Sequence, residues 1–318
     1  MSFLGLDGFK TFCQLLKGDL DKKVEKENPV AIGSFSLNRK SGSTVGRVSA
    51  TLGENCEAPY DWCLAGGYES VSSGSYGSLA HGYHALSNTF ASTALGLNNK
   101  KMNGSTAYPG YDADLFVVGN GTSSSDATRS NALRLIMNGN MLIAGSYSSG
   151  GADYAEFAEW LDGNSDEEDR VGYFVTVVGK KIKIANQGEH IFGIVSGDPA
   201  VVGNSPEDWQ GRWLRDNFRR KIMEDVTITN PETGEKVTVK RPVENPEYDS
   251  TQQYVDRANR KEYDYVGWIG VLPVRDDGTC QVDACCMVAD GGIATSAEKG
   301  YRVLERVSEN VVEIEFTK

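Results

Sequence analysis

The sequence predicts a mainly β protein: an N-terminal parallel β-roll, or solenoid, followed by a mixed, mostly β domain with one clear helix. Three observations carry this. One short phrase returns at near-constant spacing through the first half of the chain, and apolar segments alternating with Gly, Asn and Asp turns fill the second. Thirty-six glycines against nine prolines in 318 residues point to tight turns repeated many times rather than to a disordered linker. A formal charge of −12 argues against nucleic acid and against an anionic membrane as partners. No run of eighteen apolar residues occurs, and MSFLGLDGFKTF lacks a basic leader with an apolar core, so synthesis and folding in a cytoplasm are expected.

Residues 1–28 read as a short attachment segment. Phe9, Phe12, Cys13, Leu16 and Leu20 recur at helical spacing between Gly8 and Val24, with Asp19, Asp21, Lys22 and Lys23 opposite. FLGLDGFKTFCQLLKG is similar to the opening of phage fibre proteins that dock onto a virion. Residues 29–102 hold the repeat: ATLGENCEA, CLAGGYESV, SLAHGYHAL and TALGLNNKK, anchored on Gly53, Gly67, Gly82 and Gly96 at intervals of 14, 15 and 14 residues. That period is too short for a helical hairpin and suits short strands with turns, stacked as a solenoid. Each unit is so poor in aliphatic side chains that one chain hardly offsets backbone ordering of roughly 1–2 kcal/mol per residue. Three chains sharing an axis could, so a trimeric roll is expected. The pattern resembles the head of YadA-type trimeric autotransporter adhesins, with Ala31 to Gly33 as a divergent earlier copy.

Two features of this half bear on metals. His81 and His84 share one unit but lack a third ligand type, and Cys13, Cys56, Cys63, Cys280, Cys285 and Cys286 form no C-x-x-C pair. No metal site is expected, and the cysteines read as buried thiols. Residues 103–150 form a junction. Leu115 to Val118 and Ala132 to Ile143 read as strands, with Asn138-Gly139 as a hairpin turn that is also open to spontaneous succinimide chemistry. A short strand-turn-strand of this kind is expected to interlock three subunits.

Residues 151–318 read as one compact domain. Ser205-Pro206-Glu207-Asp208 supplies a helix N-cap, a proline at the first position and acids in the first turn, while Arg219, Arg220 and Lys221 suit the far end. Trp209, Trp213, Leu214, Phe218 and Ile222 form its expected core face. Val226 to Lys240 alternates about Asn230–Gly234 as a β-hairpin, and strands resume at Val266–Val274, Cys280–Val288 and Tyr301–Val307 around an Asp276-Asp277-Gly278 turn. Asp276, Asp277 and Asp283 lack EF-hand spacing.

GADYAEFAEW, Gly151 to Trp160, sets Asp153, Glu156 and Glu159 three residues apart where the two halves meet. Such spacing describes either a solvated acidic edge or a working carboxylate set. SSGGADYAEFAEWLDGN, EDRVGYFVTVVGKKIKIA, GIVSGDPAVVGN, EDWQGRWLRDNF and VGWIGVLPVRDDGTCQVDACCMVADGGIATSAEKGYRVLERV, in that order, resemble the C-terminal self-cleaving chaperone domain of phage neck appendage and tail spike proteins, peptidase family "G-two". Arg219 stands where the family's usual glycine follows Asn217-Phe218.

The resemblance implies an intramolecular chaperone that helps three chains of a phage tail fibre or spike assemble, cuts the backbone near Ala152/Asp153 once, and leaves. It maps Asp153 onto the cleavage-site aspartate and Glu156 onto the catalytic acid, with Glu159 as a candidate helper or a surface residue. Because Asp follows the expected break, acyl shift to a hydroxyl or thiol is excluded. What remains is a glutamate activating water, or a carboxylic acid protonating the amide nitrogen. Two acids sharing a pocket would have their titrations pushed apart.

No cofactor is required for such a cut, and no cofactor-binding residue is identified. ATP enters only as a family implication for release, since no G-x-x-x-x-G-K-[ST] motif occurs. The expected setting is the virion, as a homotrimer beside other tail or neck proteins, with a host cell-surface receptor as a further partner. The alternative is a non-cleaving structural or adhesive trimer that keeps the C-terminal domain as a tip.

Overall fold

The computed structural model describes residues 34–106, 108, 110–205, 211–229, 234 and 236–317, and the chain divides into two compact units. One ends at Tyr147 and takes in Trp213–Glu244; the other is Ser148–Arg212 with Asn245–Lys318. The expected attachment helix and the repeat copy at Ala31 to Gly33 lie outside the described residues.

The first unit is built from β1 (Phe35–Arg39), β2 (Ala50–Cys56), β3 (Leu64–Tyr68), β4 (Val71–Ser72), β5 (Leu79–Tyr83), β6 (Leu86–Ser87), β7 (Thr93–Leu97), β8 (Asp114–Asn120), β9 (Asn131–Ile136) and β10 (Met141–Ile143). One sheet runs β1-β2-β3-β5-β7-β8-β9-β10, parallel as far as β8 and antiparallel beyond, while β4 and β6 pair alone. The repeated phrase sets the register, since like positions stack: Ala65 on Ala80 on Ala94 on Val117, and Gly53 on Gly67 on Gly82 on Gly96 on Gly119. Ala65, Ala80, Ala94 and Val117 are fully buried. The segment 103–150 thus continues the same sheet through β8, β9 and β10.

Two corners per repeat turn the chain. Asn55, Glu69, His84 and Asn98 mark one, and Val48, Trp62, Tyr76 and Ala91 the other, all at φ between 45° and 58°. Left-handed backbone at a bulky residue is uncommon and persists only where the surroundings impose it. Here two kinds of stacking do so. Trp62, Tyr76, Phe90 and Tyr108 ladder at centroid separations of 5.1, 5.0 and 6.0 Å, and buried hydroxyls pair across the narrow interior, Ser72 with Ser78 at 2.7 Å and Ser87 with Ser92 at 2.8 Å.

The second unit begins with β11 (Asp153–Trp160), β12 (Phe174–Val178), β13 (Lys181–Ile184), β14 (Gly193–Val195) and β15 (Val201–Gly203). The chain then contributes the hairpin β16 (Met223–Thr229) and β17 (Lys236–Pro242) to the first unit. It returns through a 3-10 turn, Arg257–Asn259, to β18 (Tyr263–Arg275), β19 (Cys285–Val288), β20 (Ala294–Ala297), β21 (Tyr301–Ser308) and β22 (Val311–Phe316). The sheet order is β15-β11-β13-β12-β14-β18-β22-β21-β19-β20, and an added β11–β18 pairing closes β11, β13, β12, β14 and β18 into a ring. One apolar cluster gathers Phe174, Ile194, Leu272, Val303, Ile314 and Phe316, a second Trp160, Val175, Ile182, Val195 and Val266. Arg170 lies 4.4 Å over the Trp160 ring and forks onto Asp162 at 2.8 and 2.9 Å, holding that carboxyl down at about 2. Cys280 and Cys286 are buried thiols pushed up to about 12 and about 11 by burial.

The helix expected from Ser205 is not formed. Residues 206–210 lie outside the described set, and Gly211 to Ile222 is irregular, with antiparallel bridges Trp213–Glu244 and Arg215–Lys221. Asp216 is the reason: its carboxylate accepts from the N–H groups of Phe218 and Arg220, taking donors a helix would spend on its own ladder. Arg219, at φ 64°, then turns the chain out of helical space. The expected aromatic core face is likewise corrected, since Phe218 is 80% exposed. Among the described residues the only helical turn is Arg257–Asn259.

The glycine column makes a measurable claim. At Gly82, φ 144°, a Cβ would overlap the Gly96 carbonyl, whereas at Gly77, φ 92°, it would meet open space. Gly82→Ala is expected to cost about 3 kcal/mol and Gly77→Ala about 1 kcal/mol in denaturant unfolding. Equal losses at the two positions would contradict the stacked register.

Candidate functional site

The acidic segment is a strand. β11 pairs antiparallel with β18, Asp153 opposite Gly270, Tyr154 opposite Ile269 and Ala155 opposite Gly267, so Trp268 bulges out of register. Bulges next to a site re-aim what the neighbouring strand presents. Along its other edge β11 meets β15, Tyr154 opposite Val201 and Glu156 opposite Gly203, and further on β13, Glu159 opposite Lys181.

Strand geometry sends successive side chains to opposite faces. Asp153, Ala155 and Phe157 point to a buried side, and Tyr154 and Glu156 to the other. Asp153 and Glu156 are therefore not brought together within one chain: they lie on opposite faces, roughly 10 Å apart along the strand. Glu156 is held by Tyr154, whose hydroxyl donates to Oε1 at 2.8 Å, under a glycine at 203 where a Cβ would sit 2.6 Å from that hydroxyl. Glu159 is roughly 20 Å along from Asp153. It accepts from Lys181 Nζ at 2.6 Å in a half-exposed ion pair.

Asp153 has the chemistry of a site residue. It is 6% exposed, its Oδ1 accepts from the Ser196 hydroxyl at 3.3 Å, and its buried Oδ2 has no hydrogen-bond partner among the described residues. Glycine at 267 makes the room, since a Cβ there would stand 2.8 Å from Oδ2. Burial pushes the carboxyl above its ordinary 3.8; Ser196 and its own backbone N–H draw it down, and the nearby Asp198 charge pushes it up again. An acid raised by desolvation keeps its proton to higher pH. The acid electrostatically coupled to Asp153 in this chain is thus Asp198, on the turn after β14, rather than Glu156. Ser196 and Asp198 were missed by sequence reasoning, although GIVSGDPAVVGN carried a signal: a buried apolar run ending in a Ser-Gly-Asp-Pro turn.

The backbone on either side of the Ala152–Asp153 link is held as well. Ala152 is exposed, and its carbonyl accepts from the Val271 N–H at 3.3 Å, while the Asp153 carbonyl accepts from the Ala200 N–H at 2.8 Å. At Gly151 a Cβ would overlap the Asp198–Ala200 backbone. The arrangement holds the carbonyl of an exposed residue on the Val271 N–H, with a protonatable carboxyl against the amide nitrogen of the same link. That combination suits hydrolysis of the link. As for cations, Asp276, Asp277 and Cys280 lie close enough to share one, but Asp276 is already engaged by Arg306 at 3.0 Å and by the Gly278 N–H, which makes this a braced turn.

Asp153→Asn removes a desolvated acid. Because the folded carboxyl titrates above its unfolded value, the folded state holds the proton more tightly, and native stability falls as pH rises from about 3.8 through the raised value. Asp153→Asn is expected to raise the thermal midpoint at pH 7 relative to unbroken parent chain, with the gain vanishing below pH 4. A variant less stable at pH 7 than at pH 4, relative to parent, would contradict this.

Comparison with known proteins bears on the same region. Residues 114–313 match the family model described as Peptidase_G2, IMC autoproteolytic cleavage domain. The pre-neck appendage protein of Bacillus phage B103 is 37% identical over 150 residues, 47% of this chain and 16% of that protein. The preneck appendage protein of Bacillus phage PZA is 37% identical over 166 residues, 48% of this chain and 18% of that protein. The chain thus spans less than a fifth of the length of these relatives. The crystal structure of the pre-mature bacteriophage phi29 gene product 12 shares the fold over 89% of this chain and 33% of that one, with a TM-score of 0.63 at 24% identity.

Proposed function

The chain belongs to the Peptidase_G2 family of IMC autoproteolytic cleavage domains, and on that premise we propose that it is part of a phage neck appendage whose three copies assemble around a shared parallel roll and then each break the Ala152–Asp153 peptide bond once. The reading rests chiefly on Asp153: a buried, protonatable carboxyl with an unpartnered oxygen, set against the nitrogen that must leave. Water attacks the Ala152 carbonyl carbon as a carboxylate takes its proton; the Asp153 carboxyl protonates the amide nitrogen; the C–N bond opens to give a carboxylate at Ala152 and an amine at Asp153.

Glu156 is the base, supplied from a neighbouring copy. In its own chain it lies on the far face of β11, out of reach of the link. Cleavage then waits for assembly, because only association brings the base into attack geometry. The lean Ala and Ser interior of the stacked strands supports association, as does the apolar ribbon of Met137, Met141, Leu142, Ile143 and Tyr147, all left exposed in the single chain. Asp198 is the second candidate for the base, favoured by its electrostatic contact with Asp153 in the same chain. Glu159, paired with Lys181, braces the strand.

Glu156→Gln is expected to give intact chains in a normal trimer. Co-expression with Asp153→Asn chains is expected to restore cutting of the Glu156→Gln chains only, read by mass. Cutting of Glu156→Gln alone at the parental rate removes Glu156 from the reaction. Loss of cutting in Asp198→Asn without complementation between the first two variants moves the base to Asp198. A parent chain that assembles and stays whole leaves a structural or adhesive trimer.

A further inference from the structure

We infer that the Gly270–Val271 step of β18 is the oxyanion-binding element of the cleavage, with the Val271 N–H as the catalytic donor and Gly270 as the residue that positions it. The inference rests on the self-cleavage reading and adds to it a group that no carboxylate assignment contains. Attack on the Ala152 carbonyl places a negative charge on its oxygen, and a donor fixed in advance on that oxygen stabilises the charge as it forms.

Three features converge there. The Ala152 carbonyl oxygen already accepts from the Val271 N–H at 3.3 Å, a length that can shorten as the carbonyl pyramidalises. Gly270 sits at φ 137°, where a Cβ would overlap that same oxygen and stand 2.7 Å from the Asp153 Cα. Only a residue without a side chain lets the two backbones approach this closely, and a plain antiparallel pair has no such need. The bulge at Trp268 then shifts β18 against β11 between Tyr154 and Ala155, immediately beyond the link. The result is one carbonyl polarised from the β18 side, with the Asp153 carboxyl against its own nitrogen. In the step itself the oxyanion forms against Val271, collapses as the C–N bond breaks, and leaves a carboxylate oxygen on the same donor; Val271 gives up no proton.

The test uses the full chain, with the hydroxy-acid analogue of valine placed at position 271. The resulting ester deletes the N–H and changes no side chain. Cutting at Ala152/Asp153 is expected to slow about 10²-fold, with an unaltered pH profile because the donor does not titrate, and in an assembled trimer. Gly270→Ala is expected to slow it at least as much. A merely structural defect would instead displace the pH profile by disturbing Asp153.

A second measurement does not depend on cutting. With ¹³C at the Ala152 carbonyl in Asp153→Asn chains, Gly270→Ala is expected to move the amide I band of that carbonyl to higher wavenumber as the hydrogen bond is lost. Cutting of the ester chain at the parental rate, or an unmoved carbonyl band, overturns the inference. If the parent chain never cuts at this link, the self-cleavage reading fails, while the carbonyl band still decides whether Val271 holds Ala152.

Discussion

The seam between β11 and β18 is the constraint on which the candidate site depends. One strand carries the acids and the peptide link; the other, thirteen residues long, supplies its antiparallel partner and closes the ring of five strands. Closure decides what the acidic segment can be. A solvent-facing edge would leave Asp153 hydrated and ordinary, but a strand paired on both sides drives it into the interior beside Ser196, Gly267 and Leu272. The same pairing sends Glu156 outward. One geometric rule, alternation along a strand, thus sets Asp153 and Glu156 on opposite faces of β11, which is why the proposed mechanism takes its base from a second chain.

The two units solve the problem of stability in different ways. The second has large apolar clusters built on Phe174, Trp160, Leu272 and Phe316. The first stacks Ala65, Ala80 and Ala94 with paired serine hydroxyls and leaves its bulk to aromatic ladders outside that column. Alanine contributes little hydrophobic burial, roughly 25 cal/mol per Å² over a small area. Register, hydrogen bonds and stacked rings carry the load, and the glycine column is what permits that register. This sparing apolar interior is the physical argument behind the proposed assembly of copies.

The parts of this structure that were legible in the sequence are those fixed by local repetition. The 14- and 15-residue glycine spacing maps directly onto the parallel register, and Asn138-Gly139 marks the β9–β10 turn, with Gly139 at φ 88°. The helix from Ser205 failed for a local reason that propensity could not weigh. Asp216 captures two N–H groups, and tertiary bridges to Val243 and Glu244 hold the segment extended. The acids were legible as a cluster but not as a geometry, because spacing alone does not say whether residues three apart share a face. Ser196, Asp198, Gly267 and Gly270 lie 43 or more residues from Asp153 in the chain, and only the fold brings them to it.

The central claim is that a buried acid at a clamped peptide link breaks its own chain after assembly. Time-resolved intact mass spectrometry of freshly assembled protein, with sequencing of any new N-terminus, tests it most directly. The account predicts loss of the 34.5 kDa species and the appearance of a fragment beginning at Asp153. A correctly assembled protein that stays at 34.5 kDa, or a break that begins at Gly139, would contradict it.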